Sequence, residues 1–146
     1  MSGNSHFTVA LHILTWMALI ERDNGVITSD ALAGSVNTNP VFIRRILGLL
    51  KKAKLVTVQR GSGASWRLTR PPEKISLLDV YQAVEVQPFF ELHHSPPDPT
   101  CPVGCGIQPA LQSFYSEAEA AMKQQLAGST VEDVLAETLT HKPRRD

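Results

Sequence analysis

Two thiols and two imidazoles fall within one short stretch of the chain, Cys101-Pro-Val-Gly-Cys105 preceded by His93-His94. Such a set could hold zinc, but three residues separate the cysteines and the histidines are adjacent, which suits a tetrahedral centre poorly. The same residues could form a thiol switch. Both cysteines flank a turn just ahead of a helical periodicity, where backbone amides and the positive end of a helix lower a thiol pKa. Cys101 is then the expected sensing thiol, oxidised to a sulfenic acid and on to a disulfide within the loop or across two chains. Inert packing as small hydrophobes is the third reading. A thiol oxidoreductase using His93 or His94 as base would need a strand-turn-helix setting of the thioredoxin kind. The flanking residues do not provide one, so no enzymatic activity is expected.

A second chemistry lies in the charges. Between Asp30 and Glu73 the chain has no acidic residue, yet carries Arg44, Arg45, Lys51, Lys52, Lys54, Arg60, Arg67 and Arg70, while its formal net charge is zero. Charge segregated in this way is the footprint of a polyanion-binding surface, with nucleic acid as the first partner to consider. A solvated helix face is the plain alternative, but the segment contains no acid to pair with its cations.

The elements that must carry these residues can be read from spacing. With 146 residues and 42% hydrophobic composition, the chain has enough material for one compact domain with its own core. The apolar run from Phe7 to Ile20 is too short to span a bilayer and has no flanking signal-peptide pattern. It reads as a helix over residues 5–21 with apolar residues on two faces, packed between other elements. No export signal is expected, and a cytoplasmic location follows, where a close thiol pair is more often functional than structural.

Thr28 and Ser29 open a short helix to Val36, and Asn37-Thr38-Asn39-Pro40 supplies a turn, an N-cap and a proline at the first helical position. The next helix, Val41 to Ala53, places Ile43, Ile46, Leu47 and Leu50 inward, and Val41, Arg44, Arg45, Gly48, Lys51 and Lys52 outward. Leu55 to Val58 and Ser65 to Leu68 read as strands around the Gly61-Ser62-Gly63 turn. Ser76-x-x-Asp79 starts another helix. A proline-rich loop follows, then helical spacing from Ile107 to Leu126, and Thr130-x-x-Asp133 caps a last short helix.

Short helix, tight turn, basic second helix and glycine-tipped hairpin make a winged helix-turn-helix. The start of the second helix can enter a major groove about 12 Å wide. Thr38, Asn39, Val41, Arg44 and Arg45 are candidates for base edges. Lys51, Arg60, Ser62 and Arg67 suit the phosphate backbone, and Thr28 and Trp66 complete the candidate DNA-binding set.

Several motifs in order resemble one family: Phe7-Thr-Val-Ala-Leu-His-Ile-Leu, Pro40-Val-Phe-Ile-Arg-Arg-Ile-Leu, Leu50-Lys-Lys-Ala-Lys-Leu-Val, Arg60-Gly-Ser-Gly, Leu68-Thr-Arg-Pro-Pro and Ile75-Ser-Leu-Leu-Asp-Val. The chain is similar over nearly its whole length to the Rrf-type winged helix-turn-helix transcriptional regulators, the family of IscR, NsrR and CymR. The resemblance implies a dimeric bacterial regulator, with second helix and wing on double-stranded DNA and a long C-terminal helix mediating dimerisation. Ile107, Leu111, Phe114, Ala118, Ala121 and Met122 are the dimerisation candidates, and their alternating spacing approaches a coiled-coil seam.

Cluster-binding members carry three cysteines in the loop where this chain has two. No cofactor is therefore expected, with an iron–sulfur cluster or zinc on Cys101, Cys105, His93 and His94 as the alternative. Where members usually have further glycines in the wing, Ala64, Ser65 and Trp66 stand here. The expected architecture is mainly α with a small β-hairpin wing. Its parts are a DNA-binding domain over 1–87, a sensor loop over 88–106, a dimerisation helix and short C-terminal helix over 107–140, and a tail over 141–146. The expected function is a homodimeric repressor on a palindromic operator, modulated at Cys101 and Cys105. A metal-responsive regulator and a protein-interaction module are its rivals.

Overall fold

The computed structural model describes residues 3–61, 64–85 and 88–144. They fold as two units, Met1–Val86 together with Leu126–Asp146, and Gln87–Gln125. The fold is mainly helical with a single two-stranded hairpin among the described residues.

In the first unit, α1 (Gly3–Arg22) is the central helix. Val9, Ala10, Ile13, Leu14, Met17 and Ala18 are all buried, because helices lie against it on more than one side. Burying each large aliphatic side chain contributes about 1.5–3 kcal/mol. α2 (Ser29–Val36) begins at Thr28, whose hydroxyl oxygen accepts the Ala31 N–H at 3.1 Å. It ends at Asn37, left-handed at φ 62°, a conformation that asparagine tolerates better than most residues. Asn39 then caps α3 (Pro40–Lys52), its Oδ1 accepting the Phe42 N–H at 2.9 Å, with Pro40 in the first turn. The expected inward set, Ile43, Ile46, Leu47 and Leu50, is buried to the last residue.

α3 stops in a pattern the sequence does not announce. Lys54 is left-handed at φ 63°, its N–H donates to the Lys51 carbonyl, and the Leu55 N–H reaches back to the Leu50 carbonyl. This paired closure normally favours glycine at the left-handed position. It sends the chain into β1 (Val56–Gln59), which pairs antiparallel with β2 (Ser65–Leu68) in the register Val56↔Leu68, Thr57↔Arg67, Val58↔Trp66 and Gln59↔Ser65. The hairpin is tied back by Glu21, whose carboxylate accepts the Leu68 N–H at 2.7 Å, and by the Trp66 N–H on the Ile27 carbonyl at 2.9 Å.

After a 3-10 turn at Pro72–Lys74 come α4 (Leu77–Val84) and, much later in the chain, α6 (Val131–Thr138). Both start with full capping boxes, Ser76 with Asp79 and Thr130 with Asp133, as their spacing predicts. The two caps also pair with each other: Leu77 N–H donates to the Ser129 carbonyl and Val131 N–H to the Ile75 carbonyl, both at 2.9 Å. The boundary between the two units falls within the segment 107–140, between Gln125 and Leu126. Val131 and Leu135 of α6 lie in the core of the first unit, and Arg22 meets Glu132 at 2.6 Å.

In the second unit, α5 (Ile107–Ala127) has no buried residue. The loop before it is organised by Phe90, which stacks on Tyr115 with ring centroids 4.6 Å apart and meets Phe89 edge-on. No helix among the described residues is long and apolar enough to cross a membrane.

Replacing either cap residue, Ser76→Ala or Thr130→Ala, should cost about 0.5–2 kcal/mol in urea unfolding, the usual loss for a helix cap. Because the caps touch, the double variant should depart from the sum of the single losses in a double-mutant cycle; strict additivity would show that their pairing carries no energy.

Candidate nucleic-acid interface and thiol loop

Every residue expected on the outer face of α3 is exposed: Val41 (65%), Arg44, Arg45, Gly48, Lys51 and Lys52. None of these four cations meets a carboxylate among the described residues. Arg70 is the basic-segment residue that does, lying 3.6 Å from Asp79, an acid outside the segment. Glu21 also reaches toward the segment, yet its acceptor serves the backbone of Leu68. The positive field of α3 is thus left unneutralised by side chains, the condition under which it acts on an approaching polyanion.

The helix-turn-helix candidates differ in how free their polar atoms are. Asn39 spends its carbonyl oxygen on the Phe42 N–H, leaving its NH2 group to donate. Thr28 spends an oxygen lone pair on Ala31 and keeps its hydroxyl proton. Thr38 is half-buried in the turn. In the wing, Arg60 and Arg67 are exposed, with Arg67 opposite Thr57. Trp66 packs against the core from β2, so its indole is chiefly a packing group. Ser62 lies outside the described residues.

Cys101 and Cys105 are free thiols, half-buried and exposed respectively, in a tightly turned loop. Asp98 accepts from both the backbone and hydroxyl of Thr100, and these bonds, the hydroxyl one foremost, hold its carboxyl below the usual carboxylate range. From Cys101 onward the chain coils: Cys105 N–H donates to the Cys101 carbonyl at 2.9 Å, and Ile107 N–H to the Val103 carbonyl at 2.9 Å, leading into α5. This coil turns the amide of Gly104, and after it that of Val103, onto the Cys101 sulfur. Together they hold its pKa below the ordinary thiol value against a smaller opposing desolvation. The Cys105 thiol instead donates to the Pro102 carbonyl at 3.4 Å. Gly104 is required where it stands, because a Cβ there would collide with the backbone of Asp98. The sequence pointed to backbone amides of the turn and to the helix end as sources of thiol activation; the causes seen here are the turn amides of Gly104 and Val103.

A metal needs more donors than this loop assembles. Structural zinc takes four ligands and an iron–sulfur cluster about four. Among the described residues no group of three or more His, Cys, Asp or Glu side chains comes together. His94 lies beside Glu91 at 4.0 Å. Among the described residues the donor set does not fit a metal or cluster.

No residue of the stripe on α5 is fully buried. Phe114 is 69% exposed, Ala118 and Ala121 are exposed, and Ile107, Leu111 and Met122 are half-buried.

Known proteins share this layout. The family model described as the iron-dependent transcriptional regulator Rrf2 matches residues 4–137. YwnA of Bacillus subtilis (strain 168), whose name assigns it provisionally to the HTH-type transcriptional regulators, is 43% identical over 133 residues, covering 90% of this chain and 96% of YwnA. A crystal structure described provisionally as that of a DNA-binding protein superposes with a TM-score of 0.71 at 38% identity, covering 89% of this chain and 98% of the other. Staphylococcus aureus CymR shares the fold, with a TM-score of 0.67 at 20% identity over 90% of this chain and 95% of CymR.

In a Cys105→Ser background, the rate of Cys101 alkylation by iodoacetamide should reach half its plateau below about pH 8.5, the value of an unperturbed thiol. Gly104→Ala displaces the donating amide and should move that midpoint upward. An unmoved midpoint would remove the turn as the cause of the lowered pKa.

Proposed function

The chain belongs to the Rrf2 family of transcriptional regulators, and from that premise we propose that it is a homodimeric repressor of a palindromic operator whose affinity is set by the oxidation state of Cys101. The observation that carries the DNA reading is the exposed face of α3, where Arg44, Arg45, Lys51 and Lys52 stand without carboxylate partners among the described residues. Arg44 and Arg45 lie in the first turns of that helix, where a recognition helix meets base edges, and Lys51 lies near its end, where phosphates are met. Two such helices, held by pairing of the apolar stripe on α5, would meet successive major-groove faces of a symmetric site.

The thiol part rests on the Cys101 sulfur being held by two amide donors. A peroxide would take the thiolate sulfur to a sulfenic acid, with oxygen transferred to sulfur and the peroxide reduced to water or alcohol. Attack by a second thiol, from Cys105 or from another chain, would then release water and leave a disulfide. Either product removes the anionic sulfur that the amides of Gly104 and Val103 stabilise, so the turn leading into α5 loses its anchor. No catalytic turnover is part of this role, and the cytoplasm, where the reduced state is the resting one, is its proposed location.

Equilibrium binding of the anaerobically purified protein to DNA upstream of its own gene, against a scrambled duplex, tests both parts. Specific binding that changes on peroxide treatment, and a Cys101→Ser variant that binds but no longer responds, are expected. Specific binding indifferent to oxidation would remove the thiol role, and equal affinity for both duplexes would remove the operator. Arg44→Ala or Arg45→Ala should cost about 1–3 kcal/mol on the specific site, whereas Lys51→Ala should lower the salt slope by about one with little change in specificity.

A further inference from the structure

The outward face of α3 carries one residue that neither the core nor the charge pattern explains. Gly48 is exposed in the interior of the helix, on the stripe that runs from Val41 through Arg44 and Arg45 to Lys51 and Lys52. Glycine is among the least favourable residues for a helix interior, because it has the most backbone freedom to lose and leaves the peptide groups bare to water. The fold does not call for it. A Cβ built on Gly48 would find no heavy atom within 4 Å beyond its chain neighbours and the backbone of its own helix. The left-handed closure that could use a glycine falls to Lys54 instead. We propose that Gly48 is a positioning residue for DNA recognition, the point at which the backbone of α3 comes into van der Waals contact with the sugar–phosphate wall of the major groove.

The inference rests on the DNA-binding reading above and adds to it the depth at which α3 is seated. A helix with its side chains is about 10–12 Å across and the major groove about 12 Å wide, so a helix lying there has almost no lateral clearance. One methyl group on the flank that faces the wall then holds the helix off, and the arginines one turn earlier fall short of the base edges. Charge selects the partner. Gly48 lies three and four residues after Arg45 and Arg44, and three and four before Lys51 and Lys52, which places cations on both sides of the bare position along one face. None of these four meets a carboxylate among the described residues. The phosphates that such cations attract are the groups that a side chain at position 48 would strike. Gly34 of α2 is equally bare and exposed, but it lies four residues after the exposed Asp30, whose charge repels a phosphate. It serves as the control.

The test compares the natural chain with Gly48→Ala and Gly48→Gln on a duplex that the natural chain selects from a random pool, and on a scrambled version of that duplex. Fold and contact predict opposite signs. Both substitutions should raise the melting temperature, Gly48→Ala by about 2–4 °C, since a good helix former replaces glycine in open space. Gly48→Ala should nevertheless weaken binding to the selected duplex about tenfold, as overpacking a close contact does, and the larger Gly48→Gln should weaken it further. Affinity for the scrambled duplex and the salt slope should change little, because no cation is removed. Gly34→Ala should stabilise the chain and leave both affinities as they were. Natural affinity of Gly48→Ala for the selected duplex would overturn the contact while leaving the DNA reading intact. An equal loss in Gly34→Ala would overturn it by making helix rigidity the cause, and a melting temperature lowered by Gly48→Ala would overturn it by showing that the fold itself requires the glycine. A natural chain that enriches no sequence from the pool would overturn the DNA reading and this inference with it.

Discussion

Complete burial of Ile43, Ile46, Leu47 and Leu50 is the constraint on which the rest of the molecule turns. A helix of this length has one apolar stripe, and once that stripe is fixed against the core the opposite face has no freedom of orientation. The arginines and lysines of α3 are exposed because of what lies behind them, not because of any interaction of their own. The asparagines bounding the α2–α3 turn, Asn37 left-handed and Asn39 as cap, then decide where along its length the helix begins. Hydrophobic burial sets the rotation of the candidate recognition surface, and two polar side chains set its start.

That logic explains what was legible in the sequence. α2, α3, both strands and both capping boxes rest on local signals, meaning a cap residue, a period or a turn, and each lies within a residue or so of its expected place. The return of α6 to α1 was not legible, because Val131 and Leu135 reveal an apolar face but not which distant face it will cover. Nor was the left-handed Lys54, since lysine carries no turn signal; the backbone closure from Leu55 to Leu50 imposes the conformation. Trp66 was legible as a packing residue of the wing, and it does pack against the core; the register that puts it opposite Val58 was not.

The candidate site was legible by residue type and only partly by chemistry. A gap in acidic residues is visible in one dimension, and the structure adds that Arg70 has found a partner beyond the gap in Asp79. Of the two thiols, Cys101 was singled out in the sequence, but not the difference in their surroundings: one sulfur accepts from amides and the other donates to a carbonyl. This asymmetry arises from a coiled turn of the backbone whose geometry depends on Gly104 having no side chain. No spacing rule contains that information.

The pairing of Ser76 with Thr130 closes the chain on itself. The stretch between the two caps includes a compact unit of its own, and the first unit draws its residues from both sides of it in the chain. Closing a longer loop costs little, about 0.6 kcal/mol for each doubling of its length. The clasp therefore uncouples two kinds of change: the stretch between the two caps can lengthen or shorten at little cost to the core that the caps close. The architecture is that of a core with a replaceable attachment, in which one part of the chain can be revised while the helix-turn-helix stays the same.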